Sequence, residues 1–148
     1  MKILVNKVKI NYSVKGNGPP ILLLHGYPQT MLMWRKVIPE LSKDYTVVST
    51  DLRGYGDSEK PLSDDCHKTY SKREMAKDQI TLMKKIGFDK FYAIGHDRGA
   101  RVLHRAVLDY PSKIEKLVLI DIIPTPFIYK NLNKNISESF FHWFFLTQ

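Results

Sequence analysis

The chain has 148 residues, enough for one domain with its own hydrophobic core, and 43% of them are hydrophobic. The formal net charge is +8, but the lysines are scattered without a block of like charges, so we expect no nucleic-acid partner. A single cysteine, Cys66, excludes an intrachain disulfide. Residues 1–12 lack the apolar core of a signal peptide, and no apolar run approaches the ~20 residues of a membrane span. We therefore predict a cytoplasmic protein without membrane contact.

In chain order, the first half of the sequence predicts a hairpin, a buried strand, a helix and another strand. These elements occupy residues 2–5 and 8–15 around Asn6-Lys7, then residues 21–24, about 30–42, and 45–49. Residues 21–24 are continuously apolar, which suits a strand buried on both faces. Pro39 lies inside the predicted helix and is expected to kink it.

The second half begins with a loop over residues 51–69 and continues as alternating helices and strands. A helix starts at the capping box Ser71–Glu74 and ends at Gly87. The later elements are a strand over 91–94, a helix over 98–110, a strand over 116–120 and a helical tail after Pro126. Alternation of this kind is typical of an α/β fold, with a mostly parallel sheet and helices on both faces.

The central motif is Gly95-His96-Asp97-Arg98-Gly99, which lies between a predicted strand and a predicted helix. Small residues at both ends permit a sharp turn that presents one side chain at the carboxyl end of the strand, where open α/β sheets bind their ligands. A plainer interpretation is an aspartate that only caps the helix. The strand before it and the helix after it favour a nucleophile elbow.

An aspartate at such an elbow predicts a particular reaction. Its carboxylate is already anionic at neutral pH, so it can attack an sp³ carbon and expel a leaving group without a base. The ester that forms on Asp97 must then be hydrolysed by water, which requires a general base and an oxyanion hole. Halide displacement and epoxide opening both fit this scheme.

An oxyanion hole is predicted from His25-Gly26-Tyr27-Pro28, which follows the buried strand. The donors would be the backbone N–H groups of Tyr27 and Arg98. Without the elbow downstream, the same four residues would be an ordinary turn that leaves a strand.

Arg98 and Arg101 lie three residues apart at the start of a predicted helix and therefore share a face. The helix dipole disfavours cations there by ~0.3–1 kcal/mol, so their placement beside a carboxylate suggests a function. Bidentate capture of a substrate carboxylate is the one we favour. The alternative is that they neutralise Asp97 or lie on the surface.

Two further candidates lie downstream. Asp121 ends an apolar strand and could orient a histidine base, or it could simply cap the next loop. His142 and Trp143 offer two N–H donors among phenylalanines, which would suit a halide, although an aromatic run more often serves packing.

With these motifs, the sequence resembles the fluoroacetate (haloacetate) dehalogenases, a branch of the α/β-hydrolase family close to the epoxide hydrolases. The segments that carry the resemblance are residues 25–30, 51–58, 95–101, 119–125 and 142–146. The Arg98/Arg101 pair and the His-Trp are its specific features. Epoxide hydrolases more often have a tryptophan directly after the nucleophile, where this chain has Arg98.

The resemblance implies a nucleophile at Asp97, carboxylate binders at Arg98 and Arg101, and a base-orienting acid at Asp121. It also implies that His142 and Trp143 donate to the departing halide. Members of the family use neither a metal nor an organic cofactor, so we expect none. The implied substrate is a halogenated carboxylic acid.

The resemblance also predicts an incomplete hydrolase. Family members continue through the rest of a helical cap, the last strands of the sheet and the catalytic histidine, which we do not find in this chain. We therefore assign residues 1–125 to the N-terminal part of the core and residues 126–148 to the start of the cap. A second chain could supply the remainder. Without it, we expect an exposed sheet edge at residues 116–120 and slow turnover of the ester.

Three hypotheses follow for the function. The first is haloacid dehalogenation through an ester on Asp97. The second is epoxide hydrolysis by the same nucleophile. The third is a non-catalytic remnant that keeps the motifs without the activity.

Overall fold

A six-stranded sheet forms the centre of the structure, a computed structural model that describes residues 1–141. The strands are β1 Lys2–Val5, β2 Val8–Lys15, β3 Pro20–Leu24, β4 Thr46–Thr50, β5 Phe91–His96 and β6 Ile114–Ile120. The helices are a 3-10 helix Met31–Lys36, α1 Ile38–Leu41, α2 Lys72–Lys85, α3 Arg98–Asp109, α4 Thr125–Lys130 and α5 Lys134–Ser139.

The strand order is β1-β2-β4-β3-β5-β6. β1 and β2 pair antiparallel, as do β2 and β4, whereas β4, β3, β5 and β6 run parallel to one another. The predicted mostly parallel sheet is therefore confirmed. β3 and β5 are neighbours at the centre, so the loops at their carboxyl ends emerge side by side.

The predicted hairpin between β1 and β2 is also confirmed. Asn6 and Lys7 have φ values of 45° and 63°, as a two-residue type I′ turn requires. The Asn6 side chain donates to Glu74 and Asp78 on α2, at 2.9 and 3.0 Å. The turn is thereby attached to the helix beneath it.

The helix predicted over residues 30–42 is wrong as a single kinked element. A 3-10 helix ends at Lys36, and α1 begins at Ile38 with Pro39 in its first turn. Proline has no N–H and disfavours a helical conformation in the residue before it, so it suits the start of a helix better than its middle. Pro39 therefore starts the second helix.

Hydrophobic residues pack against both faces of the sheet, as the apolar strand runs predict. On one face, α2 and α3 cover the larger cluster, which includes Leu22, Met83 and Leu103. On the other face, Trp34 from the 3-10 helix packs with Ile21, Leu23 and Val47. β3 contributes to both clusters, which explains its unbroken apolar sequence.

A buried ion pair attaches α2 to the loop after β4. Arg53 donates through Nε and Nη2 to the two carboxylate oxygens of Asp78, both at 2.6 Å, and through Nη1 to the carbonyl of Thr69 at 2.7 Å. Burial raises the pKa of the Asp78 carboxyl, and the hydrogen bonds from Arg53 oppose that effect. The pair fixes the loop that leads to the candidate site.

The edge at β6 is exposed, as predicted. Val118, Leu119 and Ile120 are 51%, 37% and 40% exposed at the end of the sheet. Within residues 1–141, no helix combines the length and apolar character needed to cross a bilayer.

Candidate active site

The turn between β5 and α3 has the conformation of a strained elbow. Asp97 connects the two elements with φ 46° and ψ −112°, a region that costs a non-glycine residue on the order of 1–3 kcal/mol. Its N–H donates to the carbonyl of Ile120 at 3.1 Å, which joins the ends of β5 and β6. The strain is confined to the residue whose side chain the turn presents.

The glycines of the motif are required by close packing of the backbone. A Cβ at Gly99 would lie 2.5 Å from the carbonyl oxygen of His25, and one at Gly95 would lie 2.7 Å from the Cα of Ala100. The obstructing atoms belong to the backbone and cannot rotate away. At Gly95 the strand packs directly on the first turn of α3, and at Gly99 that turn packs on the end of β3, so neither position has room for a side chain.

We expect Gly99→Ala to lower the free energy of unfolding by about 3 kcal/mol or more, because the new methyl group forces α3 away from β3. Gly87→Ala is a matched control, since a Cβ there meets nothing within 4 Å and only its φ of +97° is unfavourable. It should cost about 1 kcal/mol. Urea unfolding of both variants measures the difference, and equal losses would contradict the packing argument.

The loop after β3 approaches the Asp97 side chain closely. The backbone N–H of Tyr27 donates to Asp97 Oδ1 at 2.8 Å. A Cβ at Gly26 would lie 2.5 Å from the Cβ of Asp97, so only glycine permits this approach. The structure thus brings together the first predicted oxyanion donor and the predicted nucleophile.

His25 holds this loop in the core. Its Nδ1 lies 2.8 Å from the carbonyl of Gly26, and its Nε2 accepts from the N–H of Leu52 at 3.0 Å. These partners fix the neutral tautomer with the proton on Nδ1. Burial lowers the pKa of His25, against the opposing charges of Asp51 and Asp97.

Protein stability is therefore expected to depend on pH through His25. A histidine with a lowered pKa binds fewer protons when folded than when unfolded, so its contribution is complete above the ordinary value of 6.5 and is lost as the pH falls below it. The slope cannot exceed about 1.4 kcal/mol per pH unit for one proton. Urea unfolding between pH 7 and pH 5 should show this decline, and His25→Gln should flatten it. An unchanged slope in the variant would assign the decline to other groups.

The loop after β4 supplies a tyrosine to the site. Asp51 accepts from the N–H groups of Met31 and Asp57, at 2.8 and 3.0 Å, and thereby fixes the loop. Tyr55 then lies edge-on to the His25 ring, with 5.1 Å between ring centroids. Burial raises the pKa of the Tyr55 hydroxyl, which the positive charge of Arg98 opposes.

The two predicted carboxylate binders are both placed beside Asp97. The Arg98 guanidinium lies 6.0 Å from the Tyr27 ring centroid and 5.9 Å from that of Tyr55, within the range of cation–π attraction. Arg101 donates to Thr125 Oγ1 at 3.1 Å. Burial lowers the pKa of Arg101, and the negative charge of Asp97 opposes the effect.

Two further residues, Tyr55 and Lys72, lie near this site and are not predicted from the sequence. Lys72 is half-buried at the start of α2. Burial and the charges of Arg98 and Arg101 lower the pKa of its ammonium to about 8, and Asp97 opposes them. Nothing in the sequence around Tyr55 indicates a place in the site. Lys72 could have been found by the argument applied to Arg98 and Arg101, because it too is a cation in the first turn of a helix.

Asp121 lies at the carboxyl end of β6, one strand away from Asp97. Its φ is +57°, and its carboxylate is 80% exposed. Asp121 Oδ2 lies 3.5 Å from Nε2 of His96, the residue directly before Asp97. Among the described residues, His96 is therefore the histidine that lies next to Asp121, the predicted base-orienting acid.

His142 and Trp143, the predicted halide donors, lie outside the described residues. Within residues 1–141, no cluster of three or more histidine, cysteine, aspartate or glutamate side chains is arranged to hold a metal ion.

Comparison with known proteins gives one family. The sequence profile described as alpha/beta hydrolase fold matches residues 19–145. A fluoroacetate dehalogenase from a Burkholderia species is 47% identical over 144 residues, which cover 97% of this chain and 47% of that protein. The soluble epoxide hydrolase of Corynebacterium sp. (strain C12) is 41% identical over 82% of this chain and 41% of its own length.

A solved structure agrees with these relatives. The crystal structure of a Nostoc sp. PCC 7120 protein, provisionally described as an alpha/beta hydrolase, superposes with a TM-score of 0.97 at 50% identity. The match covers 100% of this chain and 51% of that one. The chain thus spans about half the length of the relatives that it matches.

Proposed function

This chain belongs to the α/β hydrolase fold family, and from that premise we propose that Asp97 is the nucleophile of a hydrolase that displaces halide from a 2-haloacid such as haloacetate. The observation that carries the proposal is the setting of the Asp97 carboxylate. It is presented on a strained elbow, one of its oxygens accepts from the Tyr27 N–H at 2.8 Å, and Arg98 and Arg101 lie beside it.

The hydrogen bond from Tyr27 distinguishes the two oxygens of the nucleophile. Oδ1 is bound to the N–H, so Oδ2 is the oxygen that attacks the halogen-bearing carbon. The new C–O bond forms as the carbon–halogen bond breaks, and the halide leaves with the bonding electrons. Oδ1 becomes the carbonyl oxygen of the ester, and the Tyr27 N–H is already placed to stabilise it when water attacks.

Arg98 and Arg101 select the substrate in this proposal. In a 2-haloacid, the carboxylate is bonded directly to the halogen-bearing carbon that Asp97 attacks. Guanidinium groups bind carboxylates with directed hydrogen bonds. The rings of Tyr27 and Tyr55 hold the Arg98 guanidinium. By binding the substrate carboxylate, the two arginines place the halogen-bearing carbon near Asp97. Their positive charge offsets the repulsion between the two carboxylates.

Hydrolysis of the ester requires a base that we place outside the described residues. His25 uses both ring nitrogens in the core, and His96 contacts Asp121. We propose that Asp121 orients a histidine supplied by further polypeptide, for which a second chain is one source, and that His142 and Trp143 bind the halide. Residues 1–125 then form the core part, and residues 126–148 begin the cap.

Epoxide opening is the alternative chemistry, which the Corynebacterium relative favours. An epoxide carries no carboxylate, so it gives Arg98 and Arg101 nothing to bind. Diol formation from styrene oxide without any reaction of chloroacetate would support this alternative.

The test uses the purified chain incubated with chloroacetate, with its intact mass and the released chloride measured together. Cys66 is exposed and can itself be alkylated, so the experiment is carried out with Cys66→Ser. We expect one carboxymethyl group on Asp97, labile to hydroxylamine as an ester is, and chloride in equal amount. Chloride in excess of protein would mean that the chain also hydrolyses the ester.

A labelled residue other than Asp97 would contradict the assigned nucleophile. A chain that unfolds cooperatively but gives neither adduct nor chloride would support the remnant hypothesis.

A further inference from the structure

Thr125 connects the start of α4 to one of the two arginines beside Asp97. Its Oγ1 accepts a hydrogen bond from Arg101 Nη1 at 3.1 Å, between two residues that are 24 positions apart in the chain. Arg101 follows the nucleophile by one turn of α3, since its backbone N–H donates to the carbonyl of Asp97 at 3.1 Å. The contact therefore acts on a side chain that belongs to the proposed site.

The backbone around Thr125 is held in place independently of this hydrogen bond. Pro124 and Pro126 flank the threonine and restrict the chain on both sides. The N–H groups of Phe127 and Ile128 donate to the carbonyl of Pro124 at 2.9 and 3.3 Å, and Ile128 is only 1% exposed. The threonine hydroxyl is thus a fixed acceptor for a long, flexible arginine side chain.

A neutral acceptor suits an arginine that binds an anion. Arg101 is half-buried, and a partly desolvated charge is costly without hydrogen bonds. Because the guanidinium is planar, fixing one of its N–H groups orients the whole group, and an ordered side chain loses less entropy when a ligand binds. A carboxylate at position 125 would also hold the arginine, but its charge would repel an anionic substrate. The hydroxyl holds the arginine without that repulsion.

We propose that Thr125 is a positioning residue for the substrate carboxylate, and that it acts by orienting Arg101. The inference rests on the proposed function and adds a residue to the same site. It gives the segment after β6 two functions, because Asp121, at the beginning of that segment, is the proposed base-orienting acid. The competing explanation is structural: the hydrogen bond would only attach α4 to α3.

The first measurement is the binding of acetate, which has the carboxylate but no leaving group, by calorimetry in the Cys66→Ser background. Thr125→Val keeps nearly the same shape without the acceptor, whereas Thr125→Ser retains a hydroxyl. We expect Thr125→Val to bind acetate roughly three- to tenfold more weakly, as for one lost hydrogen bond. Thr125→Ser should restore most of the affinity.

The second measurement separates positioning from a general effect on the fold. Chloroacetate and chloroacetamide offer Asp97 the same carbon and the same leaving group, but only chloroacetate has a charged group for Arg101 to bind. Intact mass and lability to hydroxylamine follow the ester on Asp97 for each compound. Thr125→Val should lower the ratio of the two rates by about the factor lost in acetate affinity, whereas a purely structural change would slow both reactions alike.

Asn131→Ala is the matched control, because it removes a hydrogen bond of 2.8 Å to the carbonyl of Phe127 at the other end of α4. We expect it to leave the acetate affinity and the rate ratio unchanged. In an Arg101→Met background, Thr125→Val should have no additional effect, since its action passes through the arginine. Urea unfolding verifies that each variant is folded, and Thr125→Ala replaces Thr125→Val if that variant is not.

Unchanged acetate affinity in Thr125→Val, or a further loss when it is added to Arg101→Met, would overturn the role of Thr125. The proposed function survives that result if chloroacetate still forms the ester on Asp97 and Arg101→Met still weakens acetate binding. Weaker acetate binding in Thr125→Val without any ester would support the positioning role and contradict the nucleophile. Absence of both acetate binding and the ester would overturn both proposals.

Discussion

Asp97→Asn is expected to abolish ester formation and chloride release from chloroacetate, a loss of at least about 10³-fold in rate. An amide oxygen is uncharged at neutral pH and is a far weaker nucleophile, although asparagine has almost the same shape and can still accept from the Tyr27 N–H. Chloride release and intact mass, measured in the Cys66→Ser background, determine the loss.

The matched control for this variant is Asp65→Asn. Asp65 is exposed in the loop before α2, so its replacement changes the net charge equally without touching the elbow. We expect it to react at the original rate. Chloride release by Asp97→Asn at a rate comparable to that of the control would exclude Asp97 as the nucleophile.

Arg53→Met is expected to lower the free energy of unfolding by about 3–5 kcal/mol, the largest stability effect that we predict away from the elbow. The variant leaves the Asp78 carboxylate buried with Asn6 as its remaining side-chain donor. It also leaves the carbonyl of Thr69 without the Arg53 hydrogen bond. Urea unfolding at pH 7 measures the loss.

Two further variants show whether the loss of stability in Arg53→Met comes from the buried, unpaired Asp78 carboxylate or from the loss of a positive charge. Arg73→Met removes a largely exposed arginine of α2, and its partner Asp109 keeps the hydrogen bond from Arg105, so the change should cost less than about 1 kcal/mol. The double variant Arg53→Met/Asp78→Leu should regain much of the stability, because no buried charge remains unpaired. A double variant as unstable as Arg53→Met alone would show that the ion pair itself, and not the orphaned carboxylate, is what matters.

The parts of the fold that the sequence predicted correctly depend on local rules. The hairpin follows from Asn6-Lys7, since few residues tolerate positive φ at two successive positions. The elbow follows from its two glycines, which are needed wherever the backbone packs this closely. The error at residues 30–42 is local as well, because the proline that was expected to kink one helix lies instead in the first turn of α1.

The candidate site was harder to predict because its members are distant in the sequence. Asp97, Arg98 and Arg101 lie in one motif and could be inferred together. Tyr55 and Lys72 come from a loop and a helix that reach the site only through tertiary packing, which periodicity does not encode. The contact of Asp121 with His96 depends on the pairing of β5 with β6, which likewise becomes visible only in the folded sheet.

The exposed end of β6 has a consequence for the behaviour of the isolated chain in solution. The first half of the strand carries the charged residues Glu115 and Lys116, which disfavour pairing with a strand of another molecule. The second half, with the exposed residues Val118, Leu119 and Ile120, carries no such charge. The net charge of +8 keeps copies apart at low ionic strength. Added salt shortens that repulsion to about 8 Å at 0.15 M, so colloidal stability should decline as buffers become more concentrated.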